Sequence, residues 1–454
     1  MPISSRWIAK PMQPLTSATI VFLGLAVALT AAEPDWPQWR GPDGEDHAPA
    51  AHDLPIEWSE TDNIVWKTPL PGRGWSSPVI GRGLVWVTTA IERKPTAAER
   101  ERRLAARPGN QPAEVAAAIT FRAIAVDQAS GRVVHDVELF TVDDPQPIHA
   151  LNSFASPSPV LTDGLLLCHF GDFGAACVDT AAARVTWTNR DLRLDHVNGP
   201  GSSPIVWRDL LIVHLDGSDS QSIAAYRIDT GAIAWQTPRS GPLRDDPDLK
   251  KAYATPLIVD CDGRDVVISP AADWVYGYDP ATGEELWRLS YGVLGYSVVP
   301  RPVAAQGFVF LSTSFNQPEL LAIRLAGPDE QPEIAWRVAK AAPSMPSPLI
   351  VGDTLFMVND KGVASCLDAR SGTQLWTKRL GGNFSSSPVL ADGRIYVGNR
   401  SGDVFVITPG KTGEVLATNS LADGVFATPA AVGRALFLRT EAAIYRIERL
   451  PQQR

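Results

Sequence analysis

Apolar residues along this chain come in short runs broken by turns of Asp, Gly and Pro, and the runs recur with a period. A short apolar strand opened by a proline, in most copies Ser-Pro or Thr-Pro, starts at Pro78, Pro159, Pro204, Pro256, Pro302, Pro348, Pro388 and Pro429. The steps between these prolines are 81 residues and then 45, 52, 46, 46, 40 and 41. Within a unit, a run such as Val389-Leu390 leads through a turn to a second run such as Ile395-Tyr396-Val397. A third run ending in Asp follows, then a Gly turn and a final Trp. Four strands at this period are what propeller blades require. The pattern predicts an all-β chain, an eight-bladed β-propeller of four-stranded antiparallel blades.

The second half of the unit is clearest in Tyr278-Asp279-Pro280-Ala281-Thr282-Gly283-Glu284-Glu285-Leu286-Trp287 and in the stretch from Cys366 to Trp376; weaker copies end at Trp187, Trp235 and Trp336. The Asp is placed to accept hydrogen bonds from turn amides, Gly283 or Gly372 to supply a positive φ, and the Trp to pack against a neighbouring blade. The eighth unit, Pro429 through Ile447, offers three strands and no Trp strand. The segment Asn63-Ile64-Val65-Trp66-Lys67 is the expected fourth, so pairing of the N- and C-terminal strands closes the ring and hides its edges. The long first step marks an insertion, roughly 91–118, whose segment Pro95 to Ala106 reads as a helix ending at Arg107-Pro108-Gly109. Joining strands two and three of the first blade, it is expected on the face that carries the loops leading into the first strands, as a lid, a docking helix or a solvated decoration.

A chain of 454 residues ordinarily suggests more than one domain, but a ring of blades grows by addition. One propeller over 60–450 is therefore expected, preceded by an arm over 33–59. Residues 1–32 read as a signal peptide: Arg6 and Lys10, an apolar stretch from Ala18 to Ala32, then Glu33-Pro34. Periplasmic or secreted localisation follows, with no transmembrane segment after signal removal, and a monomer is expected. The net charge of −9, about −11 once Arg6 and Lys10 leave, argues against nucleic acid as a partner. Four cysteines are too few for a disulfide framework. Cys168 and Cys177 flank the turn Gly171-Asp172-Phe173-Gly174 and are expected either as small buried side chains or as one cross-strand bridge.

In a propeller, the loop leading into each first strand shares one face of the disc with the loop joining strands two and three. Here those loops carry aromatic, amide and charged residues and a methionine, among them Trp75, His149, Lys251, Met345, Arg400 and Phe426. The residues expected to hold a ligand at this axial mouth are Asn152, His196, Asn198, Tyr253, Asp273, Trp274, Tyr296, Arg301 and Asn383. His196 is the candidate for acid–base chemistry, with Asp195 beside it to raise its pKa. The seven histidines show no pair at ligand spacing, and His-Glu-x-x-His, Cys-x-x-Cys and Gly-x-Ser-x-Gly are absent. Neither a metal site nor a nucleophilic triad is expected. Gly199-Pro200-Gly201-Ser202-Ser203 leads into a strand rather than a helix, which removes a phosphate loop.

The repeated Asp-x-x-Thr/Ser-Gly-x-x-x-Trp pattern, with its Ser-Pro-opened strands, resembles the pyrroloquinoline quinone (PQQ)-like repeat over about residues 60 to 447. That repeat builds eight-bladed propellers in quinoprotein alcohol dehydrogenases and in the outer-membrane protein assembly propeller. The arm from Trp36 to Gly44, with Trp66-Lys67 and Gly72-Arg73-Gly74-Trp75-Ser76-Ser77-Pro78, is similar to exported bacterial PQQ-binding-like β-propeller repeat proteins. In the dehydrogenases the resemblance implies a quinone held between a Trp and a disulfide of adjacent cysteines, with a calcium or lanthanide ion on Glu and Asn and an Asp base. This chain has no adjacent cysteines and no Cys-x-x-Cys-His, and only Asp273 and Trp274 offer a partial match. No cofactor is expected, with PQQ and Ca²⁺ as the alternative. The resulting expectation is an exported non-catalytic scaffold that binds a protein, peptide or carbohydrate at its axial face. The alternatives are a PQQ-dependent quinoprotein oxidoreductase and a carbohydrate-active enzyme or hydrolase using the same mouth.

Overall fold

The computed structural model describes residues 35–106, 111–325, 327 and 331–451. The signal peptide expected over 1–32 lies outside the described residues, as does the helix stop at Arg107-Pro108-Gly109. Among the described residues, eight sheets each hold four antiparallel strands in blade order, an eight-bladed propeller. The first blade comprises Val79–Gly81, Leu84–Arg93, Ala118–Asp127 and Val133–Asp143. Inner strands are buried on both faces, as along Leu210–Asp216, whereas outer strands such as Gln374–Arg379 stay largely in solvent. The ring closes as the missing Trp strand requires: Ile64–Pro69 pairs antiparallel with Ala443–Glu448, with Trp66 opposite Arg446 and Lys67 opposite Tyr445.

Two repeated devices join neighbouring blades. At the rim, the Trp ending one blade covers the turn glycine of the next. Trp66 covers Gly131, Trp187 covers Gly231, Trp235 covers Gly283, Trp336 covers Gly372 and Trp376 covers Gly413. Four of these indoles also donate to a carbonyl of the same turn region: Trp66 to Gln128 (3.1 Å), Trp187 to Ile228 (2.7 Å), Trp235 to Pro280 (3.2 Å) and Trp376 to Gly410 (2.8 Å). The repeat's Gly thus does more than adopt a positive φ; it leaves room for the preceding blade's indole. The repeat's Asp behaves as expected, Asp279 accepting from the amides of Ala281 (2.9 Å) and Thr282 (3.2 Å).

Near the axis, the residue before each blade-opening proline makes a belt. Ser77 N donates to Ser158 Oγ (2.8 Å), Ser158 N to Ser203 Oγ (2.9 Å) and Ser203 N to Thr255 Oγ1 (2.9 Å). The fifth blade has Arg301 in this place; its amide continues the belt to Ser347 Oγ (3.0 Å), but it brings no hydroxyl to accept from the fourth. Ser347 N then donates to Ser387 Oγ (3.0 Å), Ser387 N to Thr428 Oγ1 (3.1 Å) and Thr428 N back to Ser77 Oγ (3.0 Å). The Ser-Pro and Thr-Pro signature is therefore a hydrogen-bond belt, open between the fourth and fifth blades, that links inner strands sharing no sheet.

The arm crosses beneath this belt. Trp36 exchanges backbone hydrogen bonds with Ile80, Pro37 O accepts from Leu161 N, and Arg40 Nη2 donates to Pro348 O (2.8 Å). Further on, Gly44 O accepts from Arg301, and His47–Ala48 adds a parallel fifth strand to Val389–Ala391 of the seventh blade. Arg40 and Asp46 form an ion pair (3.0 Å) with both side chains fully buried.

The first-blade insertion forms a helix over Ala97–Ala105, capped by the Thr96 side chain accepting from Glu99 N. It then forms a two-residue strand, Ala113–Glu114, paired with Ile148–His149. The bridge between Cys168 and Cys177 is overturned: all four cysteines are free. Cys168 stands opposite Ala176 and Cys177 opposite Leu167, one register step apart. Adjacent steps put the two side chains on opposite faces of the sheet.

Candidate functional site

A cavity of about 840 Å³ occupies the axis on the face of the loops leading into the first strands. Its wall follows the repeat. The residue three positions before each blade-opening proline lines it in every blade, as with Trp75, Gly201, Tyr253, Met345, Ser385 and Phe426. Below this tier lies the belt, whose Ser77, Ser158, Ser203, Thr255, Ser387 and Thr428 also face the cavity. Trp39 of the arm lines it at the level of the belt, its indole donating to Thr428 Oγ1 (3.1 Å). Most arm contacts fall on residues at or after the prolines, such as Ile80, Leu161, Pro348 and Leu390, and the rest, Arg301 and Thr428, on the belt itself, so the arm floors the cavity opposite its mouth. The insertion reaches the mouth through Gln111, beside His149 and Leu151.

The wall interleaves aromatic and apolar side chains with hydroxyl, amide and charged groups. Trp75 and Phe426 stack with centroids 4.5 Å apart and planes at 8°, and Arg73 lies 5.2 Å from the Trp75 ring centroid. Lys251 pairs with Asp248 (2.8 Å). Asp360 accepts from Ser344 N (2.7 Å); burial pushes its carboxyl above the usual range, against that hydrogen bond and nearby Arg400.

Of the nine residues expected at the mouth, Asn152, Asn198, Tyr253 and Tyr296 line the cavity. Asn152 and Tyr253 also tie loops: Asn152 Nδ2 donates to Asn198 O (2.8 Å) and Pro200 O (3.1 Å), and Tyr253 OH donates to His196 O (2.5 Å). The other five lie off the wall, each for a visible reason. His196 is buried behind its loop with its ring edge-on to Phe173 (5.1 Å). Burial drives its pKa down to about 3 against the pull of Asp219, so the lift expected from Asp195 is absent. Asp273 is held bidentately by Arg244, Nε to Oδ2 at 2.6 Å and Nη2 to Oδ1. Trp274 donates to Pro242 O (3.1 Å) and packs on Gly241. Arg301 is drawn under the belt to Gly44 O and Glu45 (3.4 Å). Asn383 is exposed and offers its carbonyl to Arg400 N (2.8 Å).

A second titratable cluster sits between the third and fourth blades. Asp216 meets Arg239 Nε (3.0 Å) and His214 Nε2 (3.2 Å), all buried. Burial opposes its charge, but these two partners hold its carboxyl below the usual range. The cluster is a clamp within the wall rather than part of the axial cavity.

The quinone arrangement implied by the resemblance does not fit these residues. Cys168, Cys177, Cys261 and Cys366 are buried in separate strands, none on the cavity wall, and Asp273 and Trp274 are engaged away from it. Among the described residues no group of three or more His, Cys, Asp or Glu side chains could hold a metal ion, and no helix is long and apolar enough to cross a membrane.

Three stretches, residues 101–270, 271–428 and 360–449, match a family model described as "Outer membrane protein assembly factor BamB". A curated relative, the outer membrane protein assembly factor BamB of Legionella pneumophila (strain Paris), is 24% identical over 201 residues, covering 42% of this chain and 49% of the relative. The match thus spans about half of that relative's length. Among solved structures, BamB from Moraxella catarrhalis superposes with a TM-score of 0.55 at 12% identity, covering 85% of this chain and 99% of that one. A europium-containing methanol dehydrogenase superposes at 0.59 with 10% identity, covering 90% of each chain. At such identities the superpositions speak for the fold alone.

Proposed function

Because this chain belongs to the family described as outer membrane protein assembly factor BamB, we propose that it works as an exported, non-catalytic scaffold in the periplasm. It holds a segment of a protein partner in the axial cavity, and by analogy with the relatives' name that partner belongs to outer-membrane protein assembly. The observation that carries this reading is the cavity: about 840 Å³, walled by Trp75, Tyr253, Met345 and Phe426 and floored by the arm. A concave wall that interleaves aromatic plates with hydroxyl, amide and charged groups suits a polypeptide segment. Of the residues expected to serve acid–base chemistry, His196 is committed to the interior and Asp273 to Arg244.

A photo-reactive amino acid placed at Asn316, exposed on the cavity wall, is expected to cross-link a defined envelope protein in cells. The same group at Val415, exposed on the outer strand of the seventh blade, is expected not to. Cross-links from Val415 alone, or dye-linked alcohol oxidation with PQQ and Ca²⁺, overturn the reading.

A further inference from the structure

We propose that the cavity captures the terminal carboxylate of a peptide segment, with Arg400 binding the carboxylate and Met345, Phe426 and Trp75 enclosing the last side chains. The proposal rests on reading the cavity as a peptide site and adds the chemistry of what enters it.

Arg400 lies on the cavity wall, partly buried, in the sector between Met345 and Phe426. Its Nε donates to Ser385 Oγ (2.7 Å), and its Nη2 meets Met345 Sδ (3.0 Å) and Phe384 O (3.4 Å). These partners are all neutral. Among the described residues Arg400 forms no ion pair and its Nη1 has no hydrogen-bond partner, yet that nitrogen is not among the sealed polar atoms. Burial depresses the charge on Arg400, and only Asp360 acts against that effect. Lys251, by contrast, has its carboxylate in Asp248. Lys361, exposed on the cavity wall next to Asp360, adds a further positive charge.

A guanidinium offers five donors in a planar fork that matches a carboxylate, and pairing strengthens where neighbours exclude water. Here the neighbours do so: Phe426 has its centroid 6.0 Å from the Arg400 Cζ and stacks on Trp75. The site is therefore a cation waiting for an anion between apolar walls. The Ser/Thr belt encircles the cavity below the wall tier, and Trp39 of the arm narrows it there, tied to Thr428. A chain end is accommodated at this depth more readily than a threaded segment, which is why the carboxylate is taken to be the terminal one.

The test is calorimetric titration of the mature full-length protein with three N-acetylated tetrapeptides. One ends in two leucines with a free carboxylate, the second is its carboxy-terminal amide, and the third is an amide carrying an internal aspartate. The free-carboxylate peptide is expected to bind at least about ten-fold more tightly than either amide. In Arg400→Gln that preference disappears. Phe426→Ala weakens all three peptides alike, which keeps the test independent of any folding loss at position 400. Equal binding of carboxylate and amide, a preference that survives Arg400→Gln, tighter binding of the aspartate peptide, or no binding of any peptide overturns the proposal. Axial cross-links from position 316 without carboxylate preference overturn this proposal alone; absence of axial cross-links overturns the peptide-site reading beneath it.

Discussion

Trp376 of the sixth blade rests directly on Gly413 of the seventh: a Cβ added to that glycine would stand 2.2 Å from the indole, and the Trp376 Nε1 donates to Gly410 O at 2.8 Å. The same pairing at Trp66 and Gly131 seals the ring where the two ends of the chain meet. Rim tryptophans and turn glycines are thus one unit split between consecutive blades, and a glycine in this motif serves the blade before its own.

Gly413→Ala is therefore expected to cost more than a left-handed backbone alone explains. Gly393 is the control, with φ +70° and nothing within 4 Å of an added Cβ. Gly393→Ala should lose about 1–2 kcal/mol, the cost of a side chain at positive φ. Gly413→Ala should lose a further ~1–3 kcal/mol from overpacking against the indole. Urea unfolding of the two variants measures the difference, and equal losses would remove the Trp–Gly pairing as a source of blade cohesion.

Removing one hydroxyl from the belt should unsatisfy a buried amide. Ser203→Ala deprives Ser158 N of its acceptor at 2.9 Å and is expected to cost about 1–3 kcal/mol, whereas Ser203→Thr restores the oxygen and most of the stability. Amide hydrogen exchange at Ser158 reports the same event locally; unchanged protection in Ser203→Ala would contradict it.

The blades, their number and their closure were legible because each rests on local chemistry repeated at a fixed spacing: a proline, a turn Asp and Gly, a Trp. The missing Trp after Ile447 pointed to Ile64–Pro69 for the same reason. The cavity wall was legible only in part. The face rule put Trp75, Tyr253, Met345, Arg400 and Phe426 on it, but the same rule admitted Asp273 and Arg301. Their side chains are taken by partners, Arg244 and the arm's Gly44, that no period connects to them. Trp39 was invisible as a floor because the arm lies outside the repeat. The residue three before each proline is a sharper signal than the loop as a whole, since its place above the belt is set by backbone spacing.

The arm's anchorage depends on a sealed ion pair. At pH 8, above the Asp46 pKa of about 7, Asp46→Ala leaves the Arg40 guanidinium buried without its charged partner at 3.0 Å and is expected to cost about 3–5 kcal/mol. The double change Arg40→Met with Asp46→Leu removes both charges and should cost less than the single one. Calorimetric melting distinguishes the two cases; a double variant weaker than Asp46→Ala would show that packing of the arm, not charge balance, dominates there.

Stability should fall in mild acid through the buried histidines. Burial lowers His196 and His169 from 6.5 to about 3, so both stay neutral in the folded protein while the unfolded chain protonates them below pH 6.5. The unfolded state then binds more protons, and stability present above pH 6.5 is lost as pH falls toward 3, by up to about 1.4 kcal/mol per pH unit for each group. Asp46 works the other way: burial pushes its carboxyl up to about 7 despite Arg40, so between pH 3.8 and 7 the folded state holds the extra proton and stability declines as pH rises. The histidine contribution is isolated by difference. His196→Phe keeps a ring against Phe173 and removes the titrating group; it should match the parent in protonation linkage at pH 8 and gain about 2 kcal/mol relative to it by pH 5. Parallel urea unfolding curves for the two proteins at pH 8, 6.5 and 5 provide the measurement, and a gap that does not widen on acidification would mean that His196 takes up a proton within the fold.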